Sequence, residues 1–270
     1  MVFGRERKPL TAVAGISGME PGFPIAPPIG AFSLGTDAFL LDVDGTILDI
    51  APTPEAVDVP EPLKRTLACL QKETSGATAL VSGRELTALD RLFAPLALAA
   101  VGCHGAEWRL QPDGPVEFRS QPLPQRIREA FLAAILDMPQ IRTEDKAYTL
   151  AFHYRGAPEL GSKLAARLNR VMEPFAAELR LLRGKLVFEV KPRNFDKGEV
   201  IHSLMQRAPF AARRPIFLGD DTTDQDAFAA VRALGGVAIS VGRPMADALY
   251  MLTEPEAARN WLAALAGGSN

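Results

Sequence analysis

Five short apolar runs punctuate the chain: AFLLDVDG, ATALVSG, LALAAVGCHG, PIFLGDD and GVAISVG, each closed by small or acidic residues. A strand with one wet face alternates apolar and polar residues. An unbroken apolar run has no wet face, so it belongs in a parallel sheet covered on both sides. Between the first two runs lies EPLKRTLACLQKET, with Leu63, Leu67 and Leu70 at helical spacing. Strand, helix and strand in succession predict a doubly wound α/β fold, in which ligands bind beyond the carboxyl ends of the strands. The polar residues of interest stand at those ends.

In the middle of the chain the rhythm changes. VEFRSQ, EDKAYTLAFHYR and KLVFEVKP alternate, as half-exposed strands do. In the second run Tyr148, Leu150, Phe152 and Tyr154 share one face, and Thr149, Ala151, His153 and Arg155 share the other. Two helical stretches, RIREAFLAAILDM and GSKLAARLNRVMEPFAAEL, separate these strands. Residues 112–192 therefore read as an α+β unit inserted into an α/β domain made of residues 37–111 and 193–270. Residues 1–36, rich in proline and glycine, read as a disordered tail in preference to a signal peptide, because the apolar part is short and glycine-broken.

A net charge of −2 and the absence of a basic run with interleaved aromatics argue against nucleic acid or an anionic membrane as partner. LFAPLALAAVG is too short, and interrupted by proline, to span a bilayer. The two cysteines, Cys69 and Cys103, are far apart, which predicts a reduced cytoplasmic protein without disulfides. We expect a monomer acting on a small molecule.

Asp42 and Asp44 end the first run two residues apart, so both project to one side while Val43 points away, and Gly45 permits a sharp turn after them. A calcium loop does not fit, because glycine falls at the fourth position and threonine at the twelfth. The second acidic cluster, GDDTTD, offers Asp220 and Asp221 at a strand end and Asp224 one helical turn on; alone it reads equally well as a capped helix start. Two such clusters at one sheet edge suit a hard divalent cation, Mg²⁺ in preference to Ca²⁺. Ser82 and Glu85 in VSGRE have capping-box spacing, and a helix start offers free N–H groups to an anion. Lys197 stands in the first turn of another helix, where the dipole disfavours a cation unless a counter-charge faces it. A phosphate ester approaching a carboxylate at ~4 Å meets a repulsion of about 4 kcal/mol per charge pair at an effective dielectric of 20. A cation, a lysine and a helix start would offset it. The pattern points to phosphoryl transfer through an aspartyl-phosphate.

The ordered set DVDGT, VSGR, DKGE and GDDTTD resembles the haloacid dehalogenase (HAD)-type phosphatases, from about residue 37 onward. That resemblance implies a Rossmann-like core with an inserted C2-type cap that selects the substrate. It implies Asp42 as nucleophile, Asp44 as general acid and then base, and Ser82 and Lys197 as holders of the phosphoryl group. It also implies Mg²⁺ bound by Asp42, the Asp44 carbonyl and Asp220, with Asp221 and Asp224 supporting it. VGCHGAEWR, EDKAYTLAFHYR, RGKLVFEVKPRNFDKGEVI and FLGDDTTDQDAF are similar, more narrowly, to the bacterial trehalose-6-phosphate phosphatases. This implies sugar contacts from Glu144, Lys146 and Glu189, with Arg155 and Lys185 added, and trehalose 6-phosphate as substrate.

A different sugar phosphatase, a phosphomutase or a non-catalytic regulatory module on the same scaffold are the competing readings. Cys103 and His104 are poorly placed as a nucleophile pair, since adjacent strand residues face opposite ways. His104 near the substrate is a separate expectation. Trp108 and Trp261 are expected to be packing residues.

Overall fold

The computed structural model describes residues 26–51, 56–193 and 196–267. In chain order the elements are β1 (Asp37–Leu41), α1 (Glu61–Glu73), β2 (Thr78–Val81), α2 (Leu86–Phe93), β3 (Ala99–Gly102), β4 (Glu107–Arg109), β5 (Glu117–Phe118), α3 (Gln125–Ala133), β6 (Arg142–Asp145) and β7 (Leu150–His153). They continue with α4 (Gly161–Met172), β8 (Leu179–Gly184), β9 (Val187–Pro192), α5 (Lys197–Leu204), β10 (Arg214–Gly219), α6 (Gln225–Ala233), β11 (Val237–Val241), β12 (Tyr250–Leu252) and α7 (Pro255–Gly267).

The larger sheet has eight strands in the order β12-β11-β10-β1-β2-β3-β4-β5, parallel from β12 to β3 and antiparallel beyond it. The five apolar runs become β1, β2, β3, β10 and β11. The side-chain period of two sorts β1 between two layers. Phe39 and Leu41 enter a core closed by α1, α2 and α7 through Leu63, Leu67, Leu89 and Leu262. Ala38 and Leu40 enter the opposite core, closed by α5 and α6 through Ile201, Leu204 and Phe228. Covered on both faces, β1 is wholly buried, and its carboxyl end is where Asp42 emerges.

The smaller sheet is antiparallel, β6-β7-β9-β8. One face packs on α3 and α4, with Phe152, Phe188 and Val190 against Ile127, Phe131, Leu164 and Leu168. The other face carries Glu144, Ala151 and Glu189 in one row of the ladder and Arg142, His153 and Val187 in the next.

Three readings of the sequence need correction. VEFRSQ, assigned to the insert, supplies β5 instead, paired to β4 at the edge of the larger sheet. An alternating run fits any half-exposed strand and does not say which sheet it joins. EDKAYTLAFHYR is not one strand but a hairpin. The Asp145 side chain accepts from the Ala147 N–H at 2.9 Å, Ala147 takes φ 61°, and the chain reverses into β7. Residues 26–36 are docked rather than a free tail. Phe32 meets Trp261 edge to face with centroids 4.9 Å apart, a contact worth about 1 kcal/mol. The Trp261 indole N–H donates to the Pro27 carbonyl at 2.9 Å, and Arg214 donates to the Ala31 carbonyl at 2.7 Å. The rest of the expected tail, residues 1–25, lies outside the described residues. Both tryptophans are packing residues, Trp108 being 3% exposed and Trp261 6%. No helix among the described residues is long and apolar enough to cross a membrane.

Candidate active site

A cleft of about 1970 Å³ separates the carboxyl edge of the larger sheet from the polar face of the smaller one. At its floor, Asp42 at the end of β1 meets Asp220 at the end of β10 and Asp224 in the turn before α6. These three carboxylates each offer an oxygen within 4.8 Å of the others. β1 and β10 are paired in parallel, Leu41 beside Leu218, which brings both acidic ends to one edge. Lys197, 3% exposed at the start of α5, donates to Asp42 Oδ1 at 2.6 Å and to Asp224 Oδ1 at 2.5 Å. Those are the counter-charges its unfavourable place on the helix dipole calls for.

Burial raises Asp42 well above the usual carboxylate range; Lys197 pulls against the rise, and Asp224 and Asp220 add to it. Burial, then Asp224, pushes Asp220 up to about 6. Burial also works against the Lys197 ammonium, but Asp224 and Asp42 outweigh it and hold the lysine charged. One lysine among three carboxylates leaves uncompensated negative charge on hard oxygen donors. That donor set fits a divalent metal ion.

The remaining hydrogen bonds sort the acids. Thr46 Oγ1 bridges Asp42 Oδ2 at 2.9 Å and Asp220 Oδ1 at 3.1 Å. Asp224 Oδ2 accepts the backbone N–H of both Asp220 and Asp221, at 2.9 and 3.1 Å, so it braces the loop as well as joining the cluster. The capping and acidic-cluster readings of GDDTTD are therefore both realised, because Asp221 and Asp224 also form a capping box. Asp221 stands apart from the three-carboxylate cluster: its Oδ1 accepts from the Thr222 N–H and from Arg243. Asp44 faces the cleft and is gripped by Arg84, Nε to Oδ2 at 2.7 Å and Nη2 to Oδ1 at 2.6 Å.

Ser82 lines the same cleft after β2, but the capping box expected of it is not formed. Its Oγ accepts from the Arg84 N–H at 3.1 Å, and the residue before α2 is Glu85. The start of α2 is occupied by Glu107 from β4, whose Oε2 accepts the Leu86 N–H at 2.8 Å. The spacing of Ser82 and Glu85 matches the signature, yet a carboxylate distant in sequence won the helix start.

Opposite, from the smaller sheet, Glu189 is 9% exposed and accepts from three side chains, two on Oε1 and one on Oε2. Thr149 Oγ1 donates to its Oε1 at 2.6 Å, Lys146 Nζ to Oε1 at 3.2 Å, and His104 Nε2 pairs with Oε2 at 2.8 Å. A carboxylate only accepts, so His104 carries its proton on Nε2. Burial opposes the Glu189 charge, but His104 and Lys146 outweigh it and hold the group well below the usual range. Glu144 Oε2 pairs with His153 Nε2 at 2.9 Å, and that bond lowers the Glu144 pKa. Lys146 also donates to the Gly83 carbonyl at 3.1 Å, tying the smaller sheet to the larger. Arg155, expected at the sugar, lines the cleft but spends one N–H on the Ala51 carbonyl. Lys185 lines the cleft from the exposed turn between β8 and β9.

Arg84, Thr46 and Gly83 were not singled out from the sequence, although VSGR and DGT contain them. Their roles rest on partners far along the chain. Arg84 stands 40 residues from Asp44 and Thr46 174 residues from Asp220, so no local pattern announces either contact.

A family model described as trehalose-phosphatase matches residues 40–247. A probable trehalose-phosphate phosphatase of Sinorhizobium fredii is 38% identical over 87% of this chain and 91% of its own length. The trehalose-6-phosphate phosphatase of Escherichia coli is 36% identical over 83% of this chain and 85% of its own. Among solved structures, the C-terminal domain of the Candida albicans trehalose-6-phosphate phosphatase superposes with a TM-score of 0.78 at 22% identity, covering 92% of this chain and 99% of that domain. That last likeness concerns the fold.

Proposed function

The chain belongs to the trehalose-phosphatase family, and from that premise we propose how its residues divide the hydrolysis of trehalose 6-phosphate to trehalose and phosphate. It is a phosphatase with a HAD-type α/β fold, and a metal ion fits its acidic cluster. We read residues 37–111 and 193–270 as the catalytic core and the insert, less β5, as the cap that selects the sugar.

One observation carries the reading: Asp42 stands on the cleft floor with one oxygen held by Lys197 and the other by Thr46, opposite a wall that presents Glu144, Lys146 and Glu189. In our proposal an Asp42 oxygen attacks phosphorus, the ester P–O bond breaks, and a proton from Asp44 goes to the departing sugar oxygen. Asp44 then takes a proton from the water that attacks the acyl phosphate, returning Asp42 and releasing phosphate. Arg84 orients Asp44 for both steps. Lys197 neutralises charge as the nucleophile closes on the ester, and Ser82 donates to a phosphoryl oxygen. Asp42, Asp220 and the Asp44 carbonyl would hold the metal, which we take to be Mg²⁺, with Asp224 bracing them. When bound it would supply positive charge against the incoming phosphate dianion. Glu144, Lys146 and Glu189 would take the sugar hydroxyls, with Lys185 and Arg155 at the rim. Free thiols at Cys69 and Cys103 support a cytoplasmic setting.

Phosphate release from trehalose 6-phosphate, glucose 6-phosphate and sucrose 6-phosphate, each with Mg²⁺ and with EDTA, tests this. Mg²⁺-dependent release from trehalose 6-phosphate alone supports both core and cap assignments. Release from another of the three instead would overturn the cap assignment, and interconversion without release would make the protein a mutase.

A further inference from the structure

His104 belongs to neither the phosphoryl centre nor the proposed sugar contacts, yet it is the core residue that reaches the most buried cap acid. Its ring is 6% exposed, with Nε2–H spent on Glu189 Oε2 and Nδ1 buried without a partner. Neither ring nitrogen is left to meet a ligand in the cleft. Burial, opposed by Glu189, lowers its pKa to about 4, so the imidazole is neutral near pH 7.

Its backbone is pinned as tightly as its ring. His104 takes φ 55°, its N–H donates to the Ser82 carbonyl at 3.1 Å, and the Cys103 N–H donates to the Arg84 carbonyl at 2.8 Å. The ring lies over Gly83, where an added Cβ would come 2.7 Å from both Cε1 and Nε2. One residue thus links the loop that carries Ser82 and Arg84 to a carboxylate on the other sheet.

We infer that His104 is a positioning residue that fixes the Glu189 carboxylate in sugar-reading orientation and in register with the Ser82 loop. It sets disaccharide affinity through Glu189 and touches no substrate itself. The inference rests on the reading of Glu189 as a sugar ligand.

Steady-state kinetics on trehalose 6-phosphate test it with His104→Asn, Glu189→Ala, the double variant and His104→Gln. Asparagine tolerates the left-handed backbone but is too short to reach Glu189, whereas glutamine places an N–H near the position of Nε2. Loss of a buried hydrogen bond to a charged group predicts a KM about 10- to 100-fold higher for His104→Asn. Its kcat should stay within about threefold, and His104→Gln should recover most of the KM. In the Glu189→Ala background the same His104→Asn change should move KM by less than about twofold. Equal effects in both backgrounds, or an unchanged KM in His104→Asn, overturn the inference while the sugar reading stands. An unchanged KM in Glu189→Ala overturns the sugar reading and the inference with it.

Discussion

Lys197 Nζ lies 2.6 Å from Asp42 Oδ1 across 155 residues of sequence, at the start of one helix and the end of one strand. This buried pair orients the proposed nucleophile, but it does not relieve it fully, since Asp220 and Asp224 add negative charge beside Asp42. Asp42→Asn should therefore separate activity from stability. We expect turnover to fall by about 10³-fold or more, because an amide cannot form the acyl phosphate. The metal-free variant should unfold no earlier than the parent, since one repelling charge has gone from the cluster. Phosphate release and thermal melts in EDTA check both halves; turnover near the parent's would rule out the covalent route.

The same crowding makes metal binding pH-dependent. Asp220 is pushed up to about 6 from a carboxylate value of 3.8, first by burial and then by Asp224. Its folded form binds more protons than its unfolded form within that window. Metal-free stability from this group is therefore greatest at low pH, falls as pH rises through about 6 and stays reduced above it. A divalent cation held by the deprotonated cluster would reverse the loss. The rise in Tm on adding Mg²⁺ should be large at pH 7.5 and fade toward pH 5, and EDTA should remove both that rise and turnover. An equal rise at both pH values would mean that these carboxylates do not hold the ion.

Gly45 is where backbone and cluster meet. Its φ is +87°, and a Cβ built on it would lie 2.2 Å from Asp220 Oδ2. Gly45→Ala strains the turn and displaces the Asp220 carboxylate. Turnover should drop by about 100-fold or more, and the Mg²⁺-induced rise in Tm should vanish. Isothermal titration of Mg²⁺ into the variant checks this directly; parent-like affinity would show that Asp220 can move without consequence.

The parallel core was legible in the sequence because burial on both faces erases alternation. Phe39 to Leu41 could not sit at a wet surface. Asp42, Asp44 and Asp220 were legible for the complementary reason: charge directly after such a strand needs a partner, and Lys197 carried the same demand on a helix start. What stayed hidden was decided by pairs of residues far apart. Glu107 displaced Ser82 as the cap of α2 from 21 residues beyond Leu86. His104 reached Glu189 across 85 residues. Residues 26–36 looked like a tail because proline and glycine dominate the segment, while the aromatic contact that anchors it, Phe32 on Trp261, joins the segment before β1 to α7.

Lys191 offers a test of the cap face that does not involve metal. It is 2% exposed, two residues beyond Glu189 on β9, and pairs in register with Arg180 on β8. Burial first, then Arg180, lowers its pKa to about 7 from 10.5, with Lys197 adding to the fall and Glu189 and Asp196 opposing it. Between those values the unfolded chain holds a proton that the folded chain has released, so this group's contribution to stability rises with pH across the window. Below the folded value both forms are charged and the full cost of burying the ammonium remains. Lys191→Met keeps the length of the side chain and removes the charge. At pH 6.5 the variant should melt above the parent, by about 2–4 °C for each kcal/mol relieved in a chain of this size. The advantage should shrink steadily and be mostly gone by about pH 10, where the folded lysine is neutral and the unfolded one is close to losing its proton. Paired melts at the two pH values decide it. An advantage that is the same at both would make the effect one of packing rather than charge, and a variant less stable at pH 6.5 would show that the buried ammonium is held by Glu189 rather than opposed by Arg180.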